Sequence, residues 1–143
     1  MWQRIQTLYL LISAGLVAAL CFSTAYSVAQ PEGLLKVSYW QLQKPYFGIL
    51  LGILAALVAL ALVVYKSRIL QMRLATLSAI VALGMQGWLA WMYFTFEGAV
   101  FGWTAIFPLV ICISNLLAAR GCFQDQLMVE SAMRIRERRK RNK

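Results

Sequence analysis

The chain has 143 residues, of which 62% are hydrophobic and 13% charged, and it carries a formal net charge of +9. Ordinary soluble domains run at roughly 45–50% apolar and about 25% charged residues. That excess of apolar residues argues against a soluble globular domain, and the length leaves no room for one beside the apolar runs.

In chain order, residues 5–31, 45–65, 74–96 and 98–119 contain no Asp, Glu, Lys or Arg. A helix rises about 1.5 Å per residue, so each stretch is long enough to cross a hydrocarbon core about 30 Å thick. Lipid offers no hydrogen-bond partners, so each stretch is expected to be helical. The expected spans lie near 8–28, 46–65, 74–94 and 100–118. Together they form an all-α, integral membrane four-helix antiparallel bundle over residues 1–119, followed by a basic cytoplasmic C-terminal helix or tail over 120–143.

With both termini on one side, that side receives Arg4, Lys66, Arg68, Arg73 and the eight bases from Arg120 to Lys143; the other receives Lys36 and Lys44. The positive-inside rule makes the richer side cytoplasmic. The basic charge therefore points to the anionic cytoplasmic leaflet as partner, and nucleic acid is the weaker reading. Aromatic residues gather near the opposite interface, among them Tyr39, Tyr46, Phe47, Trp91, Tyr93 and Trp103. A second processing route stays open. Residues 1–29 also resemble a signal peptide with Ser27-Val28-Ala29 as the cleavage site, which would leave three spans.

Within the first span the available polar residues are Ser13, Ser23 and Thr24. In the second span, Gly48, Gly52 and Ala56 form a small-residue stripe suited to close helix contact, within the bundle or between copies. In the third and fourth, Gln86 and Asn115 are amides that lipid cannot satisfy. Interhelical hydrogen bonds are the expected role of both, a small polar site the alternative. Pro108 is expected to kink the fourth span.

The tail closes with Arg134, Arg136, Arg138, Arg139, Lys140, Arg141 and Lys143. Each base near an anionic leaflet contributes roughly 1 kcal/mol. A helix is expected to run through about Arg136.

The chain contains no histidine, which excludes imidazole ligation of metals or haem and histidine-dependent nucleophilic catalysis. Cys21, Cys112 and Cys122 show no metal-ligand spacing. No catalytic residue, cofactor or metal is expected.

The opening Met1-Trp2-Gln3-Arg4-Ile5-Gln6-Thr7-Leu8-Tyr9-Leu10-Leu11 resembles the M-I-Q-R-I-Q-T-L-Y-L-L start of a bacterial family of small four-span membrane proteins, catalogued as a domain of unknown function. The tail, from Asp125 to Arg136, is similar to that family's D-E-x-L-V-R-S-x-D-R-L-R run at Asp125, Val129, Ser131, Arg134 and Arg136. It departs from the run at Gln126, Glu130 and Met133. The resemblance implies a bacterial inner-membrane location and no particular activity. Arg4 and Asp125 fall on the same side of the membrane, and a contact between them is one expectation. The function expected by default is an accessory or structural subunit bound to another membrane protein, with homo-oligomerisation open. A small oligomeric transporter or channel is the alternative.

Overall fold

A computed structural model describes residues 2–30, 33–39, 46–64, 66–95 and 99–141. Four helices carry the fold: α1 Trp2–Phe22, α2 Tyr46–Val63, α3 Arg68–Thr95 and α4 Phe107–Arg141. All four are long and apolar enough to cross a membrane. Each packs against two others in the cyclic order α1–α2–α3–α4, and the broadest contacts are α3–α4 and α1–α4. The chain is a multi-pass membrane protein.

The buried positions explain the packing. Along α3, Gln71, Ala75, Ser78, Ala82, Met85, Leu89 and Met92 are buried in steps of three or four residues that keep one face of a helix inward, with Ala79 buried beside Ser78. Leu51, Leu54 and Val58 on α2 and Val17 and Leu20 on α1 meet that face in the main core. A second, smaller core of Leu10, Ala61, Ala75, Ala118 and Ala119 lies nearer the charged end. Its four alanines let the backbones approach closely, which in lipid replaces the hydrophobic drive to associate. Outward positions such as Ile49, Leu60, Ile80 and Leu83 are as apolar as the core and half-exposed or more. A soluble protein would cover such a surface; here it is the face for acyl chains.

Secondary structure departs from the sequence expectation after the first span. α1 starts at Trp2 and ends at Phe22, earlier at both ends than the expected 8–28. Ser23 terminates it, its hydroxyl donating to the Leu20 carbonyl at 3.2 Å. The next residues alternate and enter strand β1, Thr24–Gln30, which pairs antiparallel with β2, Gly33–Ser38. A third strand, β3 Ala99–Phe101, pairs with the other edge of β1, giving the order β2–β1–β3. Gly33 opens β2 at φ 135°, a backbone region that side chains disfavour. The register slips between Thr24 and Tyr26, and Ala25 at the slip is fully buried, its carbonyl accepting from Gly102 N.

This sheet caps one end of the bundle, where α1 and α3 finish and α2 and α4 begin. The Tyr39 hydroxyl donates to Thr104 Oγ1 at 3.1 Å, and the Thr104 hydroxyl donates to the Thr24 carbonyl at 3.0 Å. Tyr39 and Phe47, both fully buried, stack at 5.9 Å, and Trp88 meets Phe47 edge-on at 6.5 Å. Two of the rings expected in the interfacial belt thus plug the interior. Trp91, Tyr93, Phe94 and Trp103 remain outward and exposed.

Pro108 does not kink a helix. A short 3₁₀ turn, Trp103–Ile106, precedes α4, and Pro108 occupies the first turn of the helix, where its missing N–H interrupts no bond. α4 then runs for 35 residues, about 52 Å at 1.5 Å per residue. It continues to Arg141, beyond the expected end near Arg136, and projects well past its partners.

Candidate functional site

The charged end of the bundle holds its densest polar arrangement. Gln6 on α1 and Gln71 on α3 are each 4% exposed, and Cys122 on α4 is 1% exposed. The Cys122 thiol lies 3.4 Å from Gln6 Oε1 and 3.8 Å from Gln71 Oε1, a weak donor shared between two amides. One turn further along α4, Asp125 Oδ2 sits 3.1 Å from Arg68 Nη1 at the start of α3. The two side chains are 16% and 34% exposed, so solvent screens the pair only in part. Asp125 thus pairs with Arg68; the contact expected with Arg4 falls on a side chain outside the described residues.

Helix geometry dictates this assembly. Gln6, Leu10 and Ser13 succeed one another on the inner face of α1, as Gln71, Ala75 and Ser78 do on α3 and Cys122, Ala118 and Asn115 on α4. The antiparallel runs therefore stack a polar layer, an alanine-rich layer and a second polar layer inward from the charged end. Gly121 makes the first layer close-fitting: a Cβ there would fall 2.9 Å from Gln6 Cγ and 3.3 Å from Gln6 Nε2. Burial pushes the Cys122 thiol above its ordinary 9.0; the Asp125 carboxylate adds to the rise and the Arg68 guanidinium opposes it.

Beside this cluster, α1 and α4 border an open groove of about 260 Å³. Ile5, Gln6 and Tyr9 form one wall; Leu117, Arg120 and Gly121 form the other, with Gln124 at the charged end. Gln6 Nε2 is buried and has no hydrogen-bond partner among the described residues.

The residues singled out from sequence are dispersed. Gly48 is buried, Gly52 faces space with nothing within 4 Å of an added Cβ, and Ala56 is exposed. A four-residue step turns about 40° further than one helical turn, so a stripe at 48, 52 and 56 winds out of the contact that its first member enters. Gln86 borders a separate groove with Leu89, Tyr93 and Phe101, and its Oε1 is buried without a partner among the described residues. Asn115 is fully buried, and both its amide atoms lack partners among the described residues. Interhelical hydrogen bonding, the role expected of it, is not what Asn115 does here.

On the projecting part of α4, Arg134 bonds Glu130 at 2.6 Å, one turn back. Arg136, Arg138, Arg139 and Arg141 are exposed on the same helix. The Lys140 side chain and all of Lys143 lie outside the described residues. Sequence reasoning did not single out Gln71 or Gly121, took Cys122 only as a thiol without metal-ligand spacing, and met Gln6 only within the opening run. The available signal was polar or small residues recurring on the apolar faces of helices at one depth.

No curated protein and no solved structure matches the chain. Residues 2–135 match a family described as a domain of unknown function, DUF4293.

Proposed function

The chain belongs to the DUF4293 family, and we propose that it acts as an accessory integral-membrane subunit that docks another membrane protein through its projecting α4 arm. One observation carries this reading. α4 is about 52 Å long, so roughly 20 Å lies beyond a hydrocarbon core about 30 Å thick. The arm is anchored at its base by Arg68–Asp125 and presents Leu127, Met128, Met133 and Ile135 at 50–66% exposure among its arginines. A helix bearing unpartnered apolar side chains outside lipid suits a groove in a second protein.

In this reading both termini are cytoplasmic, as the charge bias favours, and the membrane is the bacterial inner membrane. Retention of the first span is supported by Leu10, Val17 and Leu20, which α1 supplies to the two cores, and by β1 at the centre of the sheet. The transporter alternative has less support, because apolar side chains, chiefly leucine, alanine, valine and methionine, outnumber the polar ones in the bundle interior.

Crosslinking in native membranes, with a photoreactive residue at Met128 or Met133, tests the docking. A discrete adduct with one other membrane protein is expected. Adducts with lipid alone would sink the proposal. Reporter fusions after Gln41 and Lys143 should report opposite compartments, and a periplasmic C-terminus would reverse the orientation.

A further inference from the structure

The groove between α1 and α4 lies where both helices change character. Ile5 begins one charge-free run, and Arg120 is the first charge after another. A site at that level sits at headgroup depth, with hydrocarbon on one side and water on the other. Its lining follows the same division. Ile5, Tyr9 and Leu117 offer apolar surface, and Arg120, Gln124 and the Gln6 amide offer polar groups beside it.

The Gln6 amide is the informative group. Its oxygen faces inward, toward the Cys122 thiol at 3.4 Å, while its nitrogen lies beside Gly121, on the groove wall. That nitrogen is buried and without a partner among the described residues, on a side chain only 4% exposed. A buried amide donor left unpaired costs free energy that an acceptor in the groove would recover. Arg120, exposed at the same groove, supplies fixed positive charge.

We propose that this groove binds a single anionic phospholipid, its phosphate held by Arg120 and Gln6 Nε2 and its first acyl carbons lying over Ile5, Tyr9 and Leu117. The volume of about 260 Å³ holds the headgroup junction, with the chains continuing down the apolar outer faces of α1 and α4. A free anion would leave the apolar wall uncovered. A partner helix would meet the charged and amide groups without an anionic group to pair with them. The site is independent of the docking role of the arm, and the two groove variants that test it leave the arm intact.

The full-length protein, purified in a mild detergent, is titrated with phosphatidylglycerol and with phosphatidylcholine, and lipid retention is read by native mass spectrometry. One tightly held phosphatidylglycerol is expected, with phosphatidylcholine bound about tenfold more weakly. Arg120→Gln, at an exposed position, and Gln6→Met, which keeps the side-chain length, should each weaken that lipid about five- to tenfold. Circular dichroism establishes that both variants keep their helicity. Arg136→Gln, Arg138→Gln and Arg139→Gln combined should remove loosely associated lipids and leave the tight one. Unchanged retention in Arg120→Gln and Gln6→Met overturns the proposal, as does loss only in the tail variant. Displacement of the lipid by inorganic phosphate at equal concentration would mark a free-anion site and overturns it too.

Discussion

Replacing Asn115 with Leu should stabilise the protein. Leu has the same branched heavy-atom skeleton, so it fits the position with only the bulk of two methyl groups added. Asn115 is fully buried, and neither Oδ1 nor Nδ2 has a partner. Leaving a buried donor or acceptor unpaired costs about 1–3 kcal/mol, and overpacking by two methyl groups costs about 1 kcal/mol or more. The net expectation is a gain of up to about 2 kcal/mol in a reversible SDS titration in mixed micelles, with helicity as readout. Ser13, at the same depth on α1, also has a buried hydroxyl without a partner. If Asn115 instead bonded Ser13, Leu would remove an interhelical hydrogen bond worth about 0.6 kcal/mol on average and leave the hydroxyl stranded. The sign of the change therefore decides. A loss of 1 kcal/mol or more, or a coupling above about 0.5 kcal/mol between Asn115→Leu and Ser13→Ala in a double-mutant cycle, would refute the reasoning.

Three further outcomes follow from the packing. Gly48→Leu should destabilise by about 1–3 kcal/mol because it overfills a buried position, while Gly52→Ala, with open space at its Cβ, should be neutral or gain up to about 1 kcal/mol from helix propensity; equal losses in the same SDS titration would contradict this placement. Tyr39→Phe should cost about 1 kcal/mol by breaking the bond to Thr104, and its melting curve should separate from that of the exposed-site control Tyr46→Phe. Cys122 keeps its proton in the folded state at a pH where the unfolded thiol, with its ordinary value of 9.0, has lost it. Its contribution to stability is therefore complete below about pH 9 and declines as pH rises through the elevated folded value. Folded protein with Cys21 and Cys112 replaced by Ala should react slowly with maleimide at pH 7, and fast labelling without unfolding would show Cys122 to be accessible.

The number of spans was legible because hydrocarbon thickness and the cost of unpaired backbone groups act on each segment separately. Residues 45–65 announce a crossing helix whatever lies beside them, and that helix is α2. The weight of basic residues at one end is legible for the same reason: charges add without regard to packing. What depended on neighbours was not. Thr24–Gln30 lies within the first charge-free run, yet it becomes the central strand of a cap because β2 folds back along one edge and β3 reaches the other from a distant part of the chain. Pro108 reads as a kink until the 3₁₀ turn places it in the first turn of α4. Gly52 carries the same small-residue signal as Gly48, and only the rotation of α2 against its neighbours separates open space from core. Gln6, Gln71 and Cys122 become one cluster because the bundle brings α4 to the same depth as residues 116 and 51 positions earlier in the chain. Local composition decides which segments enter the membrane; the faces those helices turn toward one another decide which polar groups meet inside it.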